Sequence, residues 1–509
     1  MIAKKTVAGG QGSLMGQNPS PARGLADVEE ERKRLSGSTQ HDRKSEFGQF
    51  LTPSRVAEYM TGLFSSLRRM TVRLLDPGAG TGMLTCAFLQ RALADRVASL
   101  EASCFEIDDL ILPRLVQNLH QSDALYFGAG IPLQIDTNAR EFIKAAAEMV
   151  RNGKTPYTHV IMNPPYRKIS SQSEQRKLLH AVGIESVNLY AAFLALSIRL
   201  LEKGGEIVAI IPRSFCNGSY YFPLRKLIRE DASIEHIHVF DSRRGTFRDE
   251  HVLQENVIVH LSKRAQIGDV VISSSHDAAF TDYQERRVEY SEVVGDDDED
   301  YFIHIPTDHT ATSRSFPRDA DHQLEKLDIQ VSTGPVVDFR TTEYIVSASD
   351  RPEAPLLYPA NICDGKVIWP TVKGKGSRAM KVAPGTEKLL FPAGYYVVVR
   401  RFSSKEEARR IVAAVISPGE VSSQYYAFEN HLDVFHSHKH GLERDVAYGL
   451  MAYLNNAHTD QYFRRFSGHT QVNAGDLRKL HYPSREALAC AGREVAESTG
   501  PVSIFKNNN

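Results

Sequence analysis

The feature that most constrains the fold is a regular alternation of short apolar runs and amphipathic stretches between Phe47 and about Lys263. The apolar runs are rich in β-branched residues and read VRLLD, EASCFEI, HVIMN, GEIVAIIP, IEHIHVF and ENVIVHL. Strands that alternate with helical patterns indicate a mainly parallel sheet with helices packed on it. The sequence therefore predicts a doubly wound α/β domain in this part of the chain.

Changes in composition divide the chain into four parts. Residues 1–40 are rich in Gly, Ser, Gln and charge, and predict a mobile N-terminal tail before an α/β domain over 41–265. Residues 266–325 contain the acidic run GDDDED and predict a connector or insertion. Residues 326–509 predict a second domain of mixed α+β type. Its predicted strands lie in APLLYPANI, GKVIWP and YYVVVRRF, and its predicted helices in EEARRIVAAVI and VAYGLMAYLNN.

Charge, cysteine spacing and hydropathy exclude several classes of protein. The net charge is −1, but residues 266–320 carry 4 Lys+Arg against 13 Asp+Glu, so a basic surface elsewhere can still meet an anionic partner. The five cysteines form no CxxC pair, which argues against a zinc cluster or a disulfide scaffold. Apolar runs stay far below the roughly 20 residues of a membrane helix. We therefore expect a cytoplasmic protein without a metal or a membrane segment.

The strongest chemical signal is VIMNPPY at residues 160–166, where a β-branched strand ends at Asn163-Pro164-Pro165-Tyr166. Two prolines stiffen the turn at the carboxyl end of a strand, where α/β folds bind their ligands. The Asn163 side-chain oxygen and the Pro164 carbonyl can both accept hydrogen bonds from one amino group. Tyr166 offers a flat face on which a nucleobase can stack. The alternative is an ordinary proline turn that ends a strand.

Two further signals occur at predicted strand ends. LLDPGAGTGML (74–84) places Asp76 before a glycine-rich turn that leads into a helix, and the carboxylate suits an ammonium group. CFEID (104–108) places Glu106 where such folds commonly bind ribose hydroxyls, with Ile107 as an apolar wall for an adenine. A generic strand-turn-helix and a solvated acidic residue are the alternatives.

In this order, the segments resemble a known family. FGQFLTPSRVAEYM (47–60), DPGAGTG (76–82), FEID (105–108) and NPPY (163–166) resemble motifs X, I, II and IV of the gamma-class amino-methyltransferases of restriction-modification systems. The resemblance implies a Rossmann-like S-adenosylmethionine-dependent methyltransferase domain over 41–265 and a C-terminal mixed α+β target-recognition domain over 326–509. It implies methyl transfer from S-adenosyl-L-methionine to the N6 amino group of adenine in double-stranded DNA, with rotation of the base out of the duplex. A cognate restriction endonuclease would act separately.

The resemblance also implies residue roles. Asn163, Pro164, Pro165 and Tyr166 would be catalytic, and Tyr166 and Phe247 would enclose the target base. Glu141 would bond the cofactor adenine, with Asp136 as a rival. The other residues implied to contact the cofactor are Thr52, Pro53, Asp76, Gly78, Ala79, Gly80, Thr81, Gly82, Glu106, Ile107 and Asn163.

The second half also resembles the C-terminal part of a subgroup of these enzymes. Arg, Asn and Gln are the side chains that read guanine and adenine edges, and Arg also binds phosphate. The candidates for DNA contact are Arg400, Arg401, Phe402, Arg409, Arg410, Arg464, Arg465, His469, Gln471 and Asn473. For any single Arg, a structural role is the alternative.

Two other functions stay open at this stage. The chain can be the methyltransferase and recognition subunit of a larger restriction complex, or it can methylate RNA or the N4 amino group of cytosine through the same kind of loop.

Overall fold

The structure is a computed structural model that describes residues 25–38, 51–240, 255–266, 268–295, 298–306, 320–347, 354–371, 374–403, 407–466 and 471–497. Phe247 and His469 lie outside the described residues, as does the side chain of Arg465.

The first half is built on a nine-stranded sheet with the strand order β3-β2-β1-β4-β5-β7-β6-β8-β9. Strands β3, β2, β1, β4 and β5 run parallel, whereas β7 is antiparallel to both of its neighbours. The strands are β1 (Thr71–Asp76), β2 (Ser99–Phe105), β3 (Leu133–Asn138), β4 (Tyr157–Met162), β5 (Leu201–Pro212), β6 (Ser233–Phe240), β7 (Asn256–Ser262), β8 (Val270–Ser275) and β9 (Gln284–Val288).

Helices cover both faces of this sheet, as expected for strands that are apolar on both sides. Helices α1 to α4 share one buried cluster with the sheet, and α5, α7 and α8 share the other. The helices of this half are α1 (Leu25–Ser38), α2 (Ser54–Gly62), α3 (Met83–Asp95), α4 (Leu112–Ala129), α5 (Phe142–Arg151), α6 (Glu174–Ala181), α7 (Leu189–Leu200), α8 (Phe222–Asp231) and the short α9 (Tyr290–Val293). All six predicted apolar runs contribute strands, so the doubly wound prediction is confirmed.

Two predicted boundaries are corrected by the structure. Residues 25–38 of the predicted mobile tail form α1, because Leu25 and Val28 are buried in the same cluster as α2 and α3. The predicted connector is largely part of the first half, since β8 and β9 extend the nine-stranded sheet. Val270 and Ile272 on β8 point into the core, and this alternation outweighs the acidic composition of the segment.

The second half is a mixed α+β structure, as predicted. It contains a six-stranded sheet in the order β11-β21-β18-β19-β15-β14, a five-stranded sheet in the order β12-β16-β13-β20-β17, and the pair β10-β22. The strands are β10 (Ala320–His322), β11 (Gln330–Thr333), β12 (Ile345–Ser347), β13 (Ala354–Leu357), β14 (Ile362–Cys363), β15 (Lys366–Val367), β16 (Arg378–Met380), β17 (Leu390–Pro392), β18 (Tyr396–Arg400), β19 (Ala413–Ile416), β20 (Tyr425–Phe428), β21 (Leu432–His436) and β22 (Tyr482–Pro483).

The helices of the second half are α10 (Arg444–Leu454), α11 (Ala457–Phe466), α12 (Ala474–Arg478) and α13 (Arg485–Glu497). Helix α10 confirms the helix predicted in VAYGLMAYLNN. The helix predicted in EEARRIVAAVI is wrong, because the last four residues of that segment form β19. Those residues are buried between β18 and β15, where an extended backbone completes the hydrogen bonding of the sheet.

In the part of the chain that the structure describes, every helix is too short or too polar to cross a membrane.

Candidate active site

Three of the sequence motifs meet at one edge of the nine-stranded sheet. Strands β2, β1 and β4 are adjacent and parallel, so their carboxyl ends lie side by side. These ends carry Glu106, the turn after Asp76, and Asn163 respectively. Short backbone links join the ends, since the Ala79 amide donates to the Phe105 carbonyl oxygen at 2.9 Å. The topology therefore creates one site from residues that are up to about 90 positions apart in the chain.

Asp76 lies behind the glycine-rich turn. Its side chain is fully buried, and Oδ2 accepts a hydrogen bond from the Thr85 hydroxyl of α3 at 2.7 Å. Burial raises the pKa of Asp76 to about 7, because the carboxylate is removed from water, and the Thr85 hydrogen bond only partly opposes this. Oδ1 is also buried and has no hydrogen-bond partner among the described residues. Asp76 thus ties the turn to α3 and keeps one acceptor oxygen unused.

The turn itself requires glycine at two positions. Gly80 and Gly82 have φ angles of 55° and 86°, a region that other residues rarely adopt. A Cβ atom on Gly82 would also lie 2.8 Å from Leu115 of α4. The turn therefore packs closely on α4 while its other side faces a pocket.

A pocket opens beside this turn at the ends of β1, β2 and β4. Glu106 is 4% exposed, and its two carboxylate oxygens accept hydrogen bonds from the amides of Gly80 at 2.9 Å and Asp108 at 2.8 Å. Ile107 is 51% exposed. The residues that line the pocket are Leu51, Pro77, Gly78, Gly80, Phe105, Glu106, Ile107, Arg140, Glu141, Phe142, Asn163, Pro165 and Phe193.

The structure separates the two acidic candidates that follow or lie on β3. Glu141 lines the pocket and caps α5, since its side chain accepts a hydrogen bond from the Lys144 amide at 2.8 Å. Asp136 lies within β3, where it accepts a hydrogen bond from Asn138 at 3.1 Å, and it does not line the pocket. Of the two, only Glu141 reaches the pocket.

The Asn163 side chain is held in one orientation from both sides. Its Nδ2 donates to the hydroxyl of Thr52 at 3.0 Å, and its Oδ1 lies 3.0 Å from the hydroxyl of Tyr166. The Tyr166 hydroxyl is also 3.1 Å from the carbonyl oxygen of Ile210 on β5, so its proton can go to either acceptor. These contacts fix the direction in which the amide oxygen of Asn163 points.

The loop 163–166 separates the pocket from a larger cleft. Asn163 and Pro165 line the pocket, whereas Tyr166 lines the cleft, which has a volume of about 1260 Å³. The second half of the chain forms the opposite wall of the cleft with residues that include Arg401, Gln471 and Asn473.

Comparisons with known proteins agree with this geometry. Residues 93–247 match the Eco57I restriction-modification methylase family. The chain is 42% identical to the Type II methyltransferase M.BsuBI of Bacillus subtilis, over 93% of this chain and 95% of that protein. It is 39% identical to the Type II methyltransferase M.PstI of Providencia stuartii, over 92% and 93% of the two chains.

The chain belongs to the restriction-modification DNA methyltransferases. The cofactor of these enzymes is S-adenosylmethionine, and the first half has the Rossmann-like fold of S-adenosylmethionine-dependent methyltransferases. A solved structure of the DrdV–DNA complex has the same overall fold. It superimposes with a TM-score of 0.54 at 13% identity and covers 93% of this chain and 60% of that one.

Apart from Pro164, Tyr166 and Phe247, the predicted site residues of this methyltransferase fall into two groups by position. Gly78, Gly80, Glu106, Ile107, Glu141, Asn163 and Pro165 line the pocket. The remaining predicted cofactor residues do not line it, and they are Thr52, Pro53, Asp76, Ala79, Thr81 and Gly82. Thr81 contacts α4, since its carbonyl accepts from Asn118 at 2.9 Å. Six lining residues were missed, because nothing in the sequence except their nearness to a motif or strand end marks them, and they are Leu51, Pro77, Phe105, Arg140, Phe142 and Phe193.

Several arginines predicted to contact DNA have structural roles in this methyltransferase. Arg410 is fully buried, and its guanidinium contacts the Ser403 hydroxyl at 3.2 Å and lies over the Phe463 ring. Arg464 pairs with Asp460 at 2.6 Å, and Arg400 pairs with Glu407. Arg401, Gln471 and Asn473 line the cleft, and Arg401 donates to Asn473 at 3.2 Å and to Gln471 at 3.4 Å. Arg401 is also held by the Asn430 carbonyl at 2.7 Å and lies 3.7 Å from the Asp433 carboxylate.

Proposed function

We propose that this chain methylates the N6 amino group of adenine in double-stranded DNA and is the protective modification enzyme of a restriction-modification system. The observation that carries the proposal is the position of the Asn163–Tyr166 loop between the pocket and the cleft. One end of the loop faces the site for the methyl donor, and the other faces a space that the second half of the chain completes.

The pocket suits the cofactor. S-adenosylmethionine supplies an activated methyl group on a sulfonium sulfur when it is bound. The amides of Gly80 and Asp108 orient the buried Glu106 carboxylate, and a carboxylate at this position suits vicinal ribose hydroxyls. Ile107 presents an apolar side chain for one face of the adenine ring, and Glu141 can accept from its amino group. The glycine turn allows close approach of the methionine part, and the buried Asp76 behind the turn would favour the methionine ammonium group by its charge.

The loop suits an amino group whose lone pair is delocalised into a nucleobase ring. Asn163 Oδ1 and the Pro164 carbonyl oxygen would accept hydrogen bonds from its two N–H groups and draw the nitrogen towards a tetrahedral geometry. That change would make the lone pair available for in-line attack on the methyl carbon. As the new N–C bond forms, the S–C bond of the sulfonium would break, S-adenosylhomocysteine would leave with the bonding electron pair, and the proton that the nitrogen loses would go to water. Thr52 and Tyr166 contribute by holding the Asn163 amide in place. Tyr166 also faces the cleft, where a base rotated out of the duplex can stack on its ring.

We propose a division of labour in which residues up to 306 bind the cofactor and catalyse, and residues from 320 recognise the target sequence. Gln471 lines the cleft and is a side chain that can bond an adenine edge. We expect Gln471→Ala to reduce the preference for the cognate sequence over a one-base variant by about 1–3 kcal/mol. The affinity for S-adenosylmethionine should not change. Gln330→Ala, at an exposed position of β11, is the matched control. Equal sequence preference in the two variants would contradict the assignment.

One experiment tests the proposal against its alternatives. The purified chain is incubated with S-adenosylmethionine carrying a labelled methyl group and with duplex DNA, and the product is digested to nucleosides for mass spectrometry. We expect N6-methyladenine from the chain alone. N4-methylcytosine would assign the other base, and labelling of RNA in preference to DNA would assign the other polymer. Activity that requires an added subunit would indicate a larger restriction complex. Modification mapping of DNA from cells that express the chain then identifies the recognition sequence.

A further inference from the structure

A second aromatic side chain projects into the cleft from the methyltransferase half. Tyr220 lines the cleft, and 73% of its surface is exposed. It belongs to a short 3₁₀ turn, Ser219–Tyr221, between the end of β5 and the start of α8. An exposed aromatic ring inside a binding cleft has apolar surface that a ligand can cover.

One buried arginine holds the segment that carries Tyr220. Arg225 of α8 is 1% exposed, and its guanidinium donates to the carbonyl oxygens of Phe215 at 3.0 Å and Gly218 at 2.8 Å. It also donates to the carbonyl of Asp300 at 2.9 Å and lies over the Phe302 ring at 5.0 Å. The backbone on the N-terminal side of Tyr220 is therefore held in place.

The same segment is tied to the second half of the chain. Arg213 donates to the carbonyl oxygen of Arg464 at 3.0 Å and forms a buried pair with Glu255 at 2.6 Å. Asn217, which is 2% exposed, donates to Asp476 at 3.4 Å. The segment thus has a defined position relative to both walls of the cleft.

A row of aromatic rings connects this segment with the catalytic loop. The Tyr166 ring packs edge-on against Tyr190 at a centroid distance of 6.1 Å, and Tyr190 packs against Tyr221 at 5.4 Å. Tyr221 is partly buried in this row, whereas the adjacent Tyr220 faces open space. Tyr220 therefore lies in the same cleft as Tyr166, whose ring is proposed to stack on the target base. The packed rings of Tyr190 and Tyr221 connect the two positions.

We propose that Tyr220 stacks on a DNA base beside the position that the target adenine leaves, and so stabilises the duplex with the adenine rotated out. Rotation of a base breaks stacking on both of its neighbours, and an aromatic ring can restore part of that contact. The phenol ring suits this position because it is apolar on its faces and tolerates water at its hydroxyl. Tyr220 is a positioning residue, and the inference rests on the proposed function.

The test compares variants on two forms of one duplex that contains the mapped recognition sequence. In the first form the target adenine is paired with thymine, and in the second it lies opposite an abasic site, so that rotating it out costs less. We expect Tyr220→Ala to lower single-turnover methylation of the paired form by about 10- to 100-fold, given the strength of base–aromatic stacking. On the abasic form the loss should shrink to about threefold or less. Tyr220→Phe should retain most of the activity on both forms.

Phe127→Ala is the matched control, because Phe127 is 88% exposed near the end of α4 and does not line the cleft. It should match the wild type on both duplexes. An equal loss for Tyr220→Ala on the two forms, or no loss on the paired form, would overturn the inference. Failure of the wild type itself to methylate adenine in either duplex would instead refute the proposed function, and the inference with it.

Discussion

The hydrogen bond between Thr52 and Asn163 provides the sharpest test of the catalytic loop. Thr52 is 5% exposed, and its hydroxyl accepts the hydrogen bond from Asn163 Nδ2 at 3.0 Å. Thr52→Ala removes this contact and leaves the Asn163 amide less firmly oriented. A neutral hydrogen bond contributes about 0.5–1.5 kcal/mol. Because about 1.4 kcal/mol corresponds to a tenfold change in rate, we expect kcat to fall about 2- to 12-fold.

The assay is single-turnover methyl transfer to duplex DNA at saturating cofactor, together with titration of S-adenosylmethionine binding. Thr52→Ser keeps the hydroxyl and should recover most of the rate. Thr61→Ala is the matched control, since Thr61 is a buried threonine of α2 whose hydroxyl donates to the Glu58 carbonyl at 2.8 Å. That variant loses a buried hydroxyl without affecting Asn163.

The reasoning would be refuted by a Thr52→Ala variant with the same kcat as Thr61→Ala. A weaker cofactor affinity at unchanged kcat would have a different meaning. It would indicate that Thr52 contacts the methionine part of S-adenosylmethionine, the role implied by the sequence resemblance.

Three further predictions concern the strand ends. Asn163→Ala should lower single-turnover transfer by about 10²–10³-fold while circular dichroism shows an intact fold, and a loss below about threefold would contradict its role. Glu106→Gln should weaken S-adenosylmethionine binding by about 10- to 100-fold in calorimetry, because hydrogen bonds to charged groups contribute about 1.5–3 kcal/mol. Glu101→Gln, at an exposed position of β2, the strand that leads to Glu106, should leave binding unchanged. The folded-state pKa of Asp76 is raised from 3.8 to about 7, so the folded protein keeps a proton that the unfolded chain loses, and this stabilisation declines as the pH rises through that window. Urea denaturation between those pH values measures the effect. The unfolding free energy of Asp76→Asn should fall less with rising pH than that of the wild type, and an equal fall in the two proteins would contradict the assignment of a raised pKa to Asp76.

Local sequence was sufficient to predict six of the nine strands of the first half. Each apolar run became a strand because β-branched residues on both faces are stable only inside a sheet covered by helices. The order of the strand-end motifs then predicted which side chains share an edge, since parallel neighbours end together. The glycine-rich turn and the proline turn were readable for the same reason, because both are determined by local backbone geometry.

Local sequence was misleading where burial depended on distant partners. The acidic composition of residues 266–325 hid β8 and β9, because an extended backbone becomes favourable there only through pairing with β6 of the nine-stranded sheet. Arg410 was a candidate for DNA contact, yet it is fully buried and contacts Ser403 and the Phe463 ring.

The tertiary structure decided the details of the site. Asp76 looked like a pocket residue, but the approach of α3 brings Thr85 against it and places it behind the turn. Which of Glu141 and Asp136 lines the pocket depended on where β3 ends and α5 begins, and spacing alone did not determine that. The cleft has walls from residues about 300 positions apart, such as Tyr166 and Gln471. A strand or turn is determined by neighbours along the chain, whereas a binding surface is determined by the packing of whole elements, to which every residue in their interfaces contributes.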